Sequence, residues 1–181
     1  MERSERMSVL TTIRVEQPQD FSVIKEVNDL AFGQEGESNL IGNLRTTNTF
    51  ISELSLVFET EMNEVVGHIL FSEITIETAD GAVQSLALAP VAVKPGFQGK
   101  GIGSALIQEG LKRSKELGYD SVVVLGHSSY YPKFGFTLAS AKGIRAPFDV
   151  PDEAFMVIEL RQGALDGVQG TVKYPEAFSA V

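Results

Sequence analysis

Cysteine is absent from the 181 residues. That one absence excludes disulfides, thiolate metal sites, iron–sulfur ligation and a cysteine nucleophile. Basic residues are scarce. Fifteen Lys and Arg stand against 24 Asp and Glu, giving a formal net charge of −9. This balance argues against salt-driven binding to nucleic acid or to anionic membrane, and it permits a cationic substrate. Long apolar runs are missing too. The longest, residues 86–93, is far too short to cross a bilayer, and the charged first eight residues lack the apolar stretch of a signal peptide. The expectation is a soluble, cytoplasmic protein with no metal and no nucleic-acid or membrane partner. What is present is ordinary for one globular domain: 43% hydrophobic and 22% charged residues, enough to bury a core.

The chain shows no repeat and no low-complexity tract. Residues 10–16 are rich in β-branched side chains and read as a strand. Gln17-Pro18-Gln19 breaks it, and Asp20 is placed to cap a helix. Phe21, Ile24, Val27 and Ala31 recur at helical spacing, with Gly33 as the stop. A second short helix is expected over residues 38–45. Strands follow at 54–58, 65–78 and 83–93, with Asp80-Gly81 as a hairpin signal. Then the pattern changes. A glycine-rich segment, residues 94–103, opens a helix with Ile102, Leu106 and Leu117 on one side and Gly118 as its C-terminal stop. Ser121-Val-Val-Val-Leu125 reads as a short buried strand. An antiparallel meander thus leads into a βαβ unit with parallel strands. Further elements are expected at 128–133, 136–138 and 154–160, and a strand-like stretch at 170–174 has no evident partner.

The charge is unevenly spread. Residues 94–133 carry six basic and three acidic side chains, a local +3, which leaves −12 for the rest. The glycine-rich segment lies inside this basic stretch. Glycines at a helix N-terminus expose backbone N–H groups where the helix dipole is positive, which suits a phosphate. A Walker A loop is excluded, because Lys100 is followed by Gly101 instead of Ser or Thr. A dinucleotide loop of the form G-x-G-x-x-G is excluded because its last glycine is missing in either frame.

Gln98-Gly99-Lys100-Gly101-Ile102-Gly103 resembles the Q/R-x-x-G-x-G/A signature of the GNAT N-acetyltransferases, where it wraps the pyrophosphate of acetyl-coenzyme A. Leu88-Ala89-Pro90-Val91-Ala92-Val93 is similar to the strand before that loop, and Tyr131-Pro132-Lys133-Phe134-Gly135-Phe136 to the family's Y-x-x-x-G-F element. Leu125-Gly126-His127 with Tyr130-Tyr131-Pro132 looks most like the YhbS-type branch. The resemblance covers residues 10–160. It implies an α/β (α+β) GNAT fold, a mixed and mostly antiparallel twisted sheet with a central βαβ unit and helices on both faces. It also implies an extension at residues 1–9 and a tail at 161–181 packed on the domain.

The activity so implied is direct transfer of an acetyl group from acetyl-CoA to an amine of a small molecule or protein, by a monomer or homodimer. Pro90 cannot donate to a β-ladder, so the strand can splay there and offer backbone groups of Val91, Ala92 and Val93 to the peptide-like pantetheine arm. Gln98, Gly99, Lys100, Gly101, Ile102, Gly103 and Ser104 would face the pyrophosphate, and Phe134 would join Tyr131 at the cofactor. A backbone N–H near Val91 would polarise the thioester carbonyl. Tyr131 matches the family tyrosine that protonates the departing thiolate, with adjacent Tyr130 as the other candidate. For the base, His127, His68 and Glu73 are candidates beside water. By the resemblance, residues 32–45 and 139–153 would touch the acceptor. They hold Glu35, Glu37, Asp149, Asp152 and Glu153, a set that singles out no acceptor. A different class stays open, a non-catalytic acyl-CoA-binding sensor or interaction module of the same fold.

Overall fold

The computed structural model describes residues 11–180. The expected extension at 1–9 lies outside the described residues, as does Leu10. Four antiparallel strands form the first half of the sheet: β1 (Thr11–Val15), β2 (Phe50–Thr60), β3 (Val65–Thr78) and β4 (Gly81–Val93). Between β1 and β2 lie helices α1 (Phe21–Phe32) and α2 (Gly36–Arg45). Gly33 ends α1 in the left-handed region, at φ +67°, where an L side chain is strained. Asp20 does not cap α1 with its side chain. Its carboxylate accepts from the Gln17 N–H at 2.8 Å and pairs with Arg14 at 2.7 Å. The Arg14 hydrogen bond holds the Asp20 carboxyl below the usual carboxylate range.

Helix α3 (Ile102–Glu116) then leads to β5 (Ser121–Leu125), which pairs parallel with β4 and antiparallel with β8 (Phe155–Glu159). This is the expected βαβ unit. Short β6 (Thr137–Leu138) edges β8. The unplaced stretch near the C-terminus is β9 (Gly170–Lys173), which pairs antiparallel with the far half of β3 and parallel with β7 (Ile144–Arg145). Gly170 is needed there, because a Cβ would lie 2.0 Å from the carbonyl oxygen of Glu77.

Side-chain alternation along β3, shifted by one residue at the bulge near Val66, puts helices on both faces. Gly67, Ile69 and Phe71 meet α3, while Val65 and Leu70 pack with Ile24, Leu40, Ile41 and Leu44 of α1 and α2. On α3 the apolar stripe is Ile102, Leu106 and Ile107. Leu117 differs from expectation. It stands 44% exposed, since the chain leaves the helix at that residue.

One feature of the sheet positions everything else. Strands β4 and β5 pair only at Leu86–Val122 and Ala87–Val123. Beyond that β4 continues along β3 to Val93, while β5 leaves with β8. Two residues of β4, Ala89 and Pro90, oppose one of β3 at this point, a β-bulge that adds local twist. The sheet is therefore split between β4 and β5. No described helix is long and apolar enough to cross a membrane.

Candidate active site

The split opens a cavity of about 790 Å³. One wall is β4 from Ala87 to Val91, and the opposite wall is Val123, Leu125, Gly126, His127 and Tyr131. The backbone of β4 is aimed into this gap. The Lys94 N–H donates to the Val66 carbonyl at 2.8 Å. With Ala92 opposite His68 in the same register, the alternation of an antiparallel ladder turns the N–H and C=O of Ala92 toward β3. Those of Val91 and Val93 then point away from β3, toward the place β5 has vacated. The Val93 carbonyl accepts from the Gln98 side chain at 2.9 Å, so Gln98 ties the glycine loop to the end of β4.

The loop itself reaches α3 through Gly96, Gly99 and Gly101, all at positive φ. No side chain caps α3, so its first N–H groups have no intrahelical partner. Ile102 turns its side chain into the core and offers the loop only its backbone. Lys100 stands over Phe97, 5.5 Å from the ring centroid. Not all of the local positive charge is free. Lys94 lies within 4.0 Å of Glu64 and 3.8 Å of Glu26, and Arg113 pairs with Glu109 at 3.0 Å.

The two tyrosines point to different places. The Tyr130 hydroxyl meets Ser104 Oγ at 3.1 Å beside the first turn of α3, with Lys133 Nζ 4.1 Å above its ring. Tyr131 is buried, packs edge-on to Tyr130 and Phe136 with Phe134 at 6.3 Å, and lines the cavity. Its hydroxyl has no hydrogen-bond partner among the described residues. Burial pushes its pKa up to about 12, with Tyr130 adding to the shift. Gly126 makes room for this ring, because a Cβ there would lie 2.3 Å from it.

Of the three base candidates, only His127 lines the cavity, where it is exposed. Glu73 accepts from the Tyr119 hydroxyl at 2.8 Å, and burial with this bond raises Tyr119 to about 12. His68 is fully buried between α1 and the sheet. Its Nε2 lies 3.0 Å from Ser55 Oγ, and Ser55 donates to Glu16, which Arg45 grips at 2.9 Å. Since Ser55 gives its proton to a carboxylate, it accepts from His68, and the ring is neutral with its proton on Nε2. Asn28 Nδ2 then donates to Nδ1 at 3.4 Å.

This histidine carries a pH dependence. Burial first, then the Arg45 charge, lowers its pKa from 6.5 to about 3. Below pH 6.5 the unfolded chain takes up a proton that the folded chain refuses, so stability is full above 6.5 and falls as pH drops toward 3. Each pH unit in that window costs about 1.4 kcal/mol. Thermal unfolding is expected to show a Tm at pH 5 lower than at pH 7.5 by about 4–8 °C. His68→Gln is expected to flatten that slope. An unchanged slope would place the proton uptake elsewhere.

The far side of the cavity comes from residues the sequence pattern left apart. Phe32, Glu37 and Leu40 reach it from α1 and α2, Phe148 from the loop before β8, and Tyr174, Phe178 and Ser179 from the tail after β9. Phe32, Glu37 and Phe148 fall in the segments expected to touch an acceptor. The tail residues do not. Their signal in the sequence was weak, two aromatics after a four-residue strand. Among the described residues, no group of three or more His, Asp or Glu could hold a metal ion.

The sheet thus splits after a bulge, with a glycine loop at a helix N-terminus beside the split. The model of the acetyltransferase (GNAT) family matches residues 24–136, and the chain belongs to that family. It is similar to the uncharacterized N-acetyltransferase YhbS of Escherichia coli, 35% identical over 167 residues, which is 92% of this chain and 98% of that one. The crystal structure of Escherichia coli YhbS in complex with CoA superposes with a TM-score of 0.87 at 33% identity, covering 94% of this chain and 92% of that chain. A GNAT acetyltransferase from Brucella melitensis in complex with acetyl-CoA superposes with a TM-score of 0.76 at 32% identity, covering 93% of this chain and 97% of that chain.

Proposed function

We propose that this protein transfers an acetyl group from acetyl-CoA directly to an amine, in the cytoplasm. The observation that carries the reading is the cavity in the split sheet, with the unpartnered hydroxyl of a largely buried tyrosine on one wall and outward-aimed backbone on the other. The pantetheine arm lies along Val91 to Val93 and completes the ladder that β5 leaves open. The pyrophosphate rests on the N–H groups of Gly99 to Ser104, where the dipole of α3 is positive. Lys100, Lys133 and Tyr130 sit on this side and add to it.

The neutral amine attacks the thioester carbon. The Val91 N–H donates to the oxygen as negative charge develops there, and a donor held in place by β3 needs no reorganisation to do so. The C–S bond then breaks, and Tyr131 hands its proton to the thiolate. The proton leaving the amine passes to water, with His127 the side chain placed to relay it. No acyl-enzyme is required, which suits a chain without cysteine.

Titration calorimetry tests the base of the reading. Acetyl-CoA is expected to bind with a Kd in the micromolar range, roughly 1–100 μM. Added amine is expected to release free thiol. Lack of any acetyl-CoA heat would overturn the proposal. Binding without turnover across a broad amine panel would instead assign a sensor of the same fold.

A further inference from the structure

Resting on that reading, we infer that the acceptor is a small monoamine with a flat apolar body, held in the far half of the cavity between Glu37 and the aromatic wall of Phe32, Phe148, Tyr174 and Phe178. Three observations meet there. The first is the wall itself. Phe148 stacks on Tyr174 at 5.9 Å and 20°, and Tyr174 touches Phe178 at 5.0 Å. Phe32 and Phe148 nevertheless remain 41% and 47% exposed at the cavity. Aromatic faces left open beside a cavity gain most when an apolar ring covers them.

The second observation is charge. Among the described residues lining this cavity, Glu37 is the one carboxylate, and no Lys or Arg lines it. Both Glu37 oxygens accept from Gln34 Nε2, at 2.8 and 3.0 Å, which fixes the carboxylate on the half-buried start of α2. One carboxylate among aromatic rings draws one ammonium group. It disfavours an acidic acceptor, which would have no cation to meet, and a polyamine, whose further charges would be left unpaired in an apolar space.

The third observation is size. The tail after β9 packs against α2, and Phe178 and Ser179 line the cavity together with Glu37 and Leu40. The cavity of about 790 Å³ must also admit the thioester end of acetyl-CoA. What remains is within the range of a small-molecule site. In the reaction the ammonium loses its proton to water, the N–C bond forms as C–S breaks, and the thiolate takes its proton from Tyr131.

The test is steady-state thiol release at saturating acetyl-CoA with three probes: phenethylamine, spermidine and a lysine-containing peptide. Phenethylamine is expected to have the highest kcat/KM, by tenfold or more. Glu37→Gln is expected to raise its KM about tenfold, with kcat within twofold and acetyl-CoA affinity unchanged. Phe148→Ala, at a half-exposed position, is expected to raise KM in the same way, with Tm recorded beside it. Preference for spermidine or the peptide overturns this inference and leaves the N-acetyltransferase reading intact. So do two variants with unchanged KM. Acetyl-CoA binding with no amine acetylated at all overturns both.

Discussion

Tyr131→Phe is expected to lower kcat about 100-fold or more while leaving acetyl-CoA affinity and Tm nearly unchanged. General acid catalysis by a placed side chain contributes about 10²–10⁴-fold, and only the hydroxyl is removed here. The ring keeps its packing against Tyr130, Phe134 and Phe136. The hydroxyl has no partner among the described residues, so its loss breaks no internal hydrogen bond, and stability is held or slightly raised. Burial sets the pH behaviour as well. With its pKa pushed up to about 12, Tyr131 stays protonated through the whole range in which the protein can be assayed. The rate should therefore show no alkaline decline from tyrosine ionisation below that value. The raised value also makes Tyr131 a weaker acid, so in the proposed mechanism its proton would pass over only as the C–S bond breaks and charge collects on sulfur.

Tyr130→Phe is the control that separates the two rings. It loses the Ser104 contact beside α3, so it should weaken acetyl-CoA binding modestly and leave kcat within a few-fold. A Tyr131→Phe enzyme that works within fivefold of the parent, or a Tyr130→Phe enzyme that does not, would reverse the assignment.

The parts of this site that were legible in the sequence are those written in one continuous segment. The glycine loop announces itself because positive φ favours glycine, and the strand before it because Pro90 interrupts an apolar run. The alternation of β3 and the helical spacing of Phe21, Ile24 and Val27 are local patterns too. What was not legible depends on contacts between distant segments. Strand β9 is four residues long and finds its place only by pairing with the distant Thr75–Thr78 stretch of β3 and with β7, so Tyr174 and Phe178 could not be assigned to a cavity in advance. That the rings of Tyr130 and Tyr131 point to different places depends on the turn that follows His127, whose carbonyl accepts from both their N–H groups. The charge count also gained meaning only in three dimensions. The +3 around the loop is partly answered from outside the segment by Glu26 and Glu64, both near Lys94.

The buried chain Arg45–Glu16–Ser55–His68–Asn28 joins five separate segments, and its weakest point is Arg45. Glu16 is 4% exposed and Arg45 17%, with contacts of 3.0 and 3.2 Å from Nε and Nη2. The guanidinium also lies 3.8 Å above the Phe21 ring. Arg45→Ala leaves a buried carboxylate whose countercharge is gone, with the Ser55 hydroxyl still donating to it. Removing one partner of a buried pair costs about 3–5 kcal/mol, or roughly 6–20 °C in Tm for a chain of this size. Arg45→Lys should fall between, since an ammonium cannot grip both oxygens of Glu16 as the planar fork does. The double change Glu16→Gln with Arg45→Met should recover most of the loss, because no charge is then stranded. Thermal denaturation of each variant measures these differences, and an Arg45→Ala shift under about 2 °C would mean the pair contributes little. The consequence reaches the cavity. Arg45 ends α2, the helix whose first turn carries Glu37, and its partner Phe21 opens α1, the helix that ends at Phe32. Loosening this anchor should raise the KM for the amine more than it changes the affinity for acetyl-CoA, whose proposed contacts are on β4 and α3.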